Sequence, residues 1–172
     1  MKRNIVLFIL LCLCLVFQGT LFQYLSIGGI KPDLVMLLVI YIALHQKPLA
    51  GLIYGFAYGL IIDMYMGRYI GLHAIILAVV ALLVSYIQQK WYRENVILTM
   101  MLVFFLTFLG QLLLVVMAVT SGLQWSARNP FDTMMGISFY NCLLVPFTYP
   151  LIHRSFTKGI LKASREYEQQ QW

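Results

Sequence analysis

Charge is scarce in this chain. Among its 172 residues there are 12 Lys and Arg and six Asp and Glu, so 10% is charged while 62% is hydrophobic. A soluble domain carries about 25% charged residues and about 45–50% apolar ones. With a mean hydropathy of +0.85, this composition leaves too little polar surface to wrap a water-facing shell. It excludes an ordinary soluble domain and implies an integral membrane protein.

Other scarcities narrow the class further. The three cysteines, Cys12, Cys14 and Cys142, all lie in oily runs, where thiols behave as small hydrophobes. With no C-x-x-C pair and no Cys/His cluster of ligand spacing, the sequence predicts no disulfide, no metal and no cofactor. The first alanine is Ala43. The opening MKRNIVLFILLCLCLVFQGT has the basic start and apolar core of a secretory signal but not its small-residue cleavage pattern. It reads as an uncleaved first membrane helix, and no small residues precede Cys12 or Cys14 as a lipoprotein site requires. Catalytic signatures are also missing: no G-x-S-x-G, H-E-x-x-H, phosphate-binding loop or paired-carboxylate spacing occurs. Asp63, His73 and Ser126 can be drawn as a triad, but nothing in the sequence requires them to converge, so the chain reads as a non-enzyme. The net charge of +6 would suit nucleic acid only as a basic face on a folded domain. Here the basic residues sit singly or in small groups between oily runs, which argues against nucleic acid.

What is present is a series of apolar runs. A helix needs about 20 mostly apolar residues to cross a bilayer core of about 30 Å. The hydropathy predicts about six spans in a single transmembrane domain, near residues 5–25, 33–44, 48–66, 69–87, 96–119 and 131–152. A basic tail follows over 153–172. The expected fold class is thus an all-α bundle of about six transmembrane helices. The second span is short. Pro32 and Asp33 suit its start, where a missing N–H is harmless and a carboxylate favours the positive dipole end. Such a segment is buried among its neighbours, extends irregularly towards Ile27, or sits where the membrane thins. Cytoplasmic loops carry an excess of Lys and Arg. With the N-terminus inside, the inner side holds nine basic residues, Lys47, Lys90 and Arg154 among them. The outer side holds three, Lys31, Arg68 and Arg128. Both termini are therefore expected in the cytoplasm. The tail reads either as a juxtamembrane helix on anionic lipid or as a solvated basic stop.

The most informative stretch is GLIYGFAYGLIIDMYMGRYIG. Every fourth residue from its start gives Gly51, Gly55, Gly59, Asp63, Gly67 and Gly71. In lipid, small residues at i and i+4 let helix backbones approach closely. The Gly51/Gly55/Gly59 face suits either packing within this chain's own bundle or docking of another protein's helix. An acid inside a span is costly without a partner. Asp63 falls about 22 Å along the third span at 1.5 Å per residue, near the outer boundary, where His73 of the next span and Arg68 of the turn are its candidate partners. The readings open for it are a pair that fixes the hairpin, a partner or ligand contact, and proton or ion handling. Gln111 and Asn141 lie about 12–14 Å from the outer ends of the fifth and sixth spans, an expected amide pair between helices. Pro146 and Pro150 are expected to kink the sixth.

In order and spacing, KPDLVMLLVIYIAL, then GLIYGFAYGLIIDMYMGRYIGLHAI, then LLVSYI resembles the MreD family of bacterial rod shape-determining proteins. There a Pro-Asp opens the second span, the third carries Gly-x-x-x-Gly-x-x-x-Asp, and a Gly begins the fourth. Pro32, Asp33, Gly55, Gly59, Asp63 and Gly71 occupy those places here. The resemblance implies a non-enzymatic scaffold of the cell-wall elongation complex in the bacterial cytoplasmic membrane. Its implied partners are the bitopic protein MreC, the actin-like MreB, a wall polymerase and a penicillin-binding protein. Such chains also resemble the six-helix substrate-binding subunits of energy-coupling-factor vitamin transporters, the alternative reading. Those present an Ala-x-x-x-Ala patch on a first helix that here has no alanine.

Overall fold

The computed structural model describes residues 2–20, 24, 26, 29–67, 71–91, 95–122 and 129–158; at 2–4, 66, 89–91, 153 and 156–158 it describes the backbone alone. Arg68, the loop residues Arg93, Glu94, Trp125, Ser126 and Arg128, and the tail 159–172 lie outside the described residues.

Within them the fold is all-helical. Six helices follow in order: α1 (Lys2–Gly19), α2 (Leu34–His45), α3 (Pro48–Met66), α4 (Leu72–Trp91), α5 (Val96–Thr120) and α6 (Pro130–Lys158). Three contain apolar stretches long enough to cross a membrane, Pro48–Tyr65, Val96–Thr120 and Pro130–Ile152. The apolar stretches of the others, Ile5–Gly19, Leu34–His45 and Leu72–Gln88, are shorter.

Helix α2 is the centre. Its sequence, LVMLLVIYIALH, is apolar all round, and every residue from Leu34 to Leu44 is buried. A helix with no polar face is one surrounded by protein or lipid; here it is protein, since α2 packs against each of the other five helices. Twelve residues make a helix of about 18 Å. Being sealed, α2 has no lipid thickness to match, and its two ends lie among its neighbours. His45 Nδ1 is 2.8 Å from the Tyr41 carbonyl at its C-terminal end. Tyr41 donates to the Thr148 hydroxyl of α6, which in turn donates to the Leu144 carbonyl, both at 2.8 Å.

Around α2 stand two hairpins, α3 with α4 and α5 with α6, whose partners make the most extensive helix contacts. In the first, α3 starts with Pro48 in its first turn and stops at Gly67, whose left-handed φ of 64° lets its N–H reach the Asp63 carbonyl. α6 continues past Ile152 to Lys158 with Pro146 and Pro150 inside it. α1 packs chiefly on α2 and is pinned to α3 by the Tyr58 hydroxyl, which donates to the Leu7 carbonyl at 2.8 Å.

Candidate functional site

The polar groups collect where α2 and α4 begin. A helix start leaves backbone N–H groups without partners, and inside an apolar bundle they have no water to turn to. The chain meets this need twice with an aspartate.

At α4 the residue before the helix is Gly71. Its carbonyl accepts the first helical bond, from Ile75 N at 3.0 Å, so Gly71 is the N-cap, and it has no side chain with which to cap. Asp63 of α3 supplies the missing acceptor from across the hairpin. Its Oδ2 accepts from Gly71 N at 2.9 Å and Ala74 N at 3.2 Å. Its Oδ1 accepts from His73 N at 3.1 Å and from His73 Nδ1 at 2.7 Å. An ionised carboxylate has about four acceptor positions, and these contacts fill all of them. The carboxylate can only accept, so Nδ1 carries the proton, and Nε2 has no partner among the described residues. Asp63 is 1% exposed.

The glycine comb explains how a carboxylate on one helix reaches the backbone of the next. Gly51, Gly55 and Gly59 all face α4. A Cβ on Gly59 would stand 2.5 Å from Ala74 N and from His73 O, and one on Gly55 would stand 2.6 Å from Leu77 O. One on Gly51 would meet Ser85 Oγ at 2.8 Å, and that hydroxyl donates to the Ala43 carbonyl of α2 at 3.1 Å. Opposite the comb stand Ala74, Ala81 and Ser85, all buried. The bare face of α3 therefore seats α4 almost against backbone, and Asp63, one turn beyond Gly59, lands on the start of α4.

At α2 the cap is local. Asp33 Oδ1 accepts from Met36 N at 3.0 Å. Gln111 of α5 donates to Asp33 Oδ2 at 3.3 Å. Asn141 of α6 brackets the backbone of the same residue, accepting from Asp33 N at 2.9 Å and donating to Asp33 O at 3.1 Å, with a further contact to Thr107 Oγ1 at 3.3 Å.

This corrects one expectation. Gln111 and Asn141 do not bond each other; both converge on Asp33. The short second span carried the missed signal: a helix of 12 residues starts well below the ends of its longer neighbours, at the depth of the two amides. The structure brings Asp63 and His73 together, and Pro32 is buried just ahead of the Asp33 cap. Arg68, the other expected partner of Asp63, lies outside the described residues. Sequence reasoning also missed the three backbone N–H groups on Asp63; a Gly just ahead of the helix, with no capping side chain of its own, was the available sign.

Among the described residues no group of three or more His, Cys, Asp or Glu side chains is placed to hold a metal. The two acids act as acceptors for helix ends. A cavity of about 250 Å³ opens beside them, between the last turns of α1 and α3 and above the first turn of α2.

Fold and site thus define a class: an all-helical, strongly apolar protein of the membrane whose buried polar groups join helices to one another. The family model for the rod shape-determining protein MreD matches residues 1–155, and the chain belongs to that family. This gives it a role in rod shape determination, and the family is one of structural membrane proteins that work with MreB and MreC. No curated protein and no solved structure matches the chain.

Proposed function

We propose that this chain is a multi-pass scaffold of the cell-wall elongation complex, linking the actin-like MreB inside the cell to peptidoglycan synthesis through an MreC-like bitopic protein, a wall polymerase and a penicillin-binding protein. In this reading all six helices lie in the membrane, with both termini in the cytoplasm. The three with shorter apolar stretches are compatible with it: α2 never meets lipid, and α1 and α4 carry apolar windows of 15 and 17 residues between polar ends.

The observation that carries the scaffold reading is where the chain places its polar chemistry. Asp33, Asp63, Gln111 and Asn141 are each committed to helix ends inside the bundle. The outside is left to large apolar residues such as Phe8, Ile53, Phe105, Phe139 and Phe147, all exposed. What the molecule offers a partner in the membrane is shaped helix surface. Depleting the protein from rod-shaped cells is expected to round them and disperse wall insertion, scored by microscopy with a fluorescent wall label; unchanged shape and insertion would sink the proposal. Affinity capture from solubilised membranes is expected to bring down wall-synthesis proteins. Recovery of an ATPase module instead would favour the transporter-subunit alternative.

A further inference from the structure

The cavity at the Asp33 end has features that helix capping does not require. Its lining includes the apolar Leu15 of α1 and Ile62 of α3. Gln18, Lys31, Asp33 and His73 line it as well. Lys31 is exposed and makes no ion pair among the described residues. His73 has given Nδ1 to Asp63, and its Nε2 has no partner among the described residues. Among the described residues the Gln18 carbonyl oxygen is buried with no donor, a state that costs about 1–3 kcal/mol when nothing fills it. Asp33 accepts from Met36 and Gln111, with the Val35 N–H also on its carboxylate, which leaves about one of the roughly four acceptor positions of a carboxylate. A cation, an imidazole edge and two unsaturated oxygen acceptors thus share one recess with apolar side chains.

We infer that this recess holds the headgroup of a zwitterionic phospholipid, with phosphate on Lys31 and the ammonium on Asp33 and Gln18. The acyl chains descend along the apolar walls of α1 and α3. The mixed charge favours a head of both signs: the hydroxyls of a phosphatidylglycerol head can donate to the Asp33 carboxylate but bring it no positive charge. The position decides for a lipid over a free solute, since a recess that brings charged and apolar side chains together between two apolar helices matches a molecule with a head and a tail.

The test is native mass spectrometry of the full chain, delipidated in detergent and then given phosphatidylethanolamine or phosphatidylglycerol at equal concentration. One phosphatidylethanolamine per chain is expected to be retained, at least five-fold in excess of phosphatidylglycerol. Lys31→Ala and Gln18→Leu are each expected to lower the bound fraction at least three-fold, whereas Arg154→Ala, on the exposed end of α6, leaves it unchanged. Equal retention of the two lipids, retention of neither, or binding undiminished in both cavity variants overturns the inference. The comparison of the two lipids on the unaltered chain stands whatever the variants do to folding.

Discussion

Asp63 performs for α4 the task that a serine or aspartate at the N-cap performs for most helices, from another helix. Removing it strands three backbone N–H groups and an imidazole where water is scarce. Asp63→Ala is therefore expected to destabilise the fold, at about 1–3 kcal/mol for each buried donor left unsatisfied. Asp63→Asn keeps one accepting oxygen but turns a donor towards other donors, and should fall between wild type and Asp63→Ala. Thermal unfolding in detergent checks the order; equal melting temperatures for all three proteins would show that the contacts carry no stability. Asn141→Leu strands the N–H of Asp33, whose C=O keeps its helical bond from Leu37 N at 3.1 Å, at about 1–3 kcal/mol for the unsatisfied donor, and the same melts read it. At this scale the sequence exposed the important residue types but not all of their partners. A polar residue in an oily run announces itself because lipid cannot satisfy it. Its partner is a matter of depth and rotation, and Gln111 and Asn141 share a depth with Asp33 only because α2 is short.

The element scale turns on how α3 meets α4. The three glycines of the comb grade in what a methyl group would strike. At Gly59 it strikes the backbone of the first turn of α4, which cannot give way, and at Gly55 it strikes the Leu77 carbonyl. At Gly51 it strikes a serine hydroxyl, which can rotate at the expense of its bond to Ala43. Alanine is accordingly expected to be tolerated worst at 59, next at 55 and best at 51, where the loss is about 1 kcal/mol for one hydrogen bond. Yield of folded protein and melting temperature across the three variants measure this, and a reversed order would mean that the comb faces elsewhere. Much of the hairpin was readable in advance, because a four-residue period of glycines has one physical use on a membrane helix, close approach. The composition of one helix does not say whose backbone approaches. Ala74, Ala81 and Ser85 on α4 answer that here, and they look unremarkable in an apolar sequence. The start of α2 was legible for a local reason, a Pro-Asp pair ahead of an apolar run. Its complete burial was not, since a helix that is apolar all round reads the same facing lipid or protein.

For the whole molecule the proposed topology has a direct check. In a chain whose own cysteines are replaced, Lys31→Cys should react with a membrane-impermeant thiol reagent from outside intact cells. Lys47→Cys, at the opposite end of α2, should react only after the membrane is opened. The reverse pattern would invert the orientation read from the basic loops, and labelling of both from one side would break the six-span reading. That the protein belongs to the membrane was evident from the scarcity of charge alone. That one of its helices touches all the rest was not, because the order of helices around a bundle is set by long-range contacts that hydropathy does not record.

Those long-range contacts also impose an order in time. Asp33 is synthesised early, and the amide that brackets its backbone comes 108 residues later. Until α5 and α6 arrive, the start of α2 is a helix end in an apolar medium with its cap only half secured, whereas the α3–α4 hairpin can close on Asp63 within 11 residues. The first hairpin can thus form during synthesis, while the centre of the bundle waits for the last. In such a chain the final helix acts as a latch, and a ribosome that stops short of it leaves a protein whose most apolar helix has been delivered but not locked.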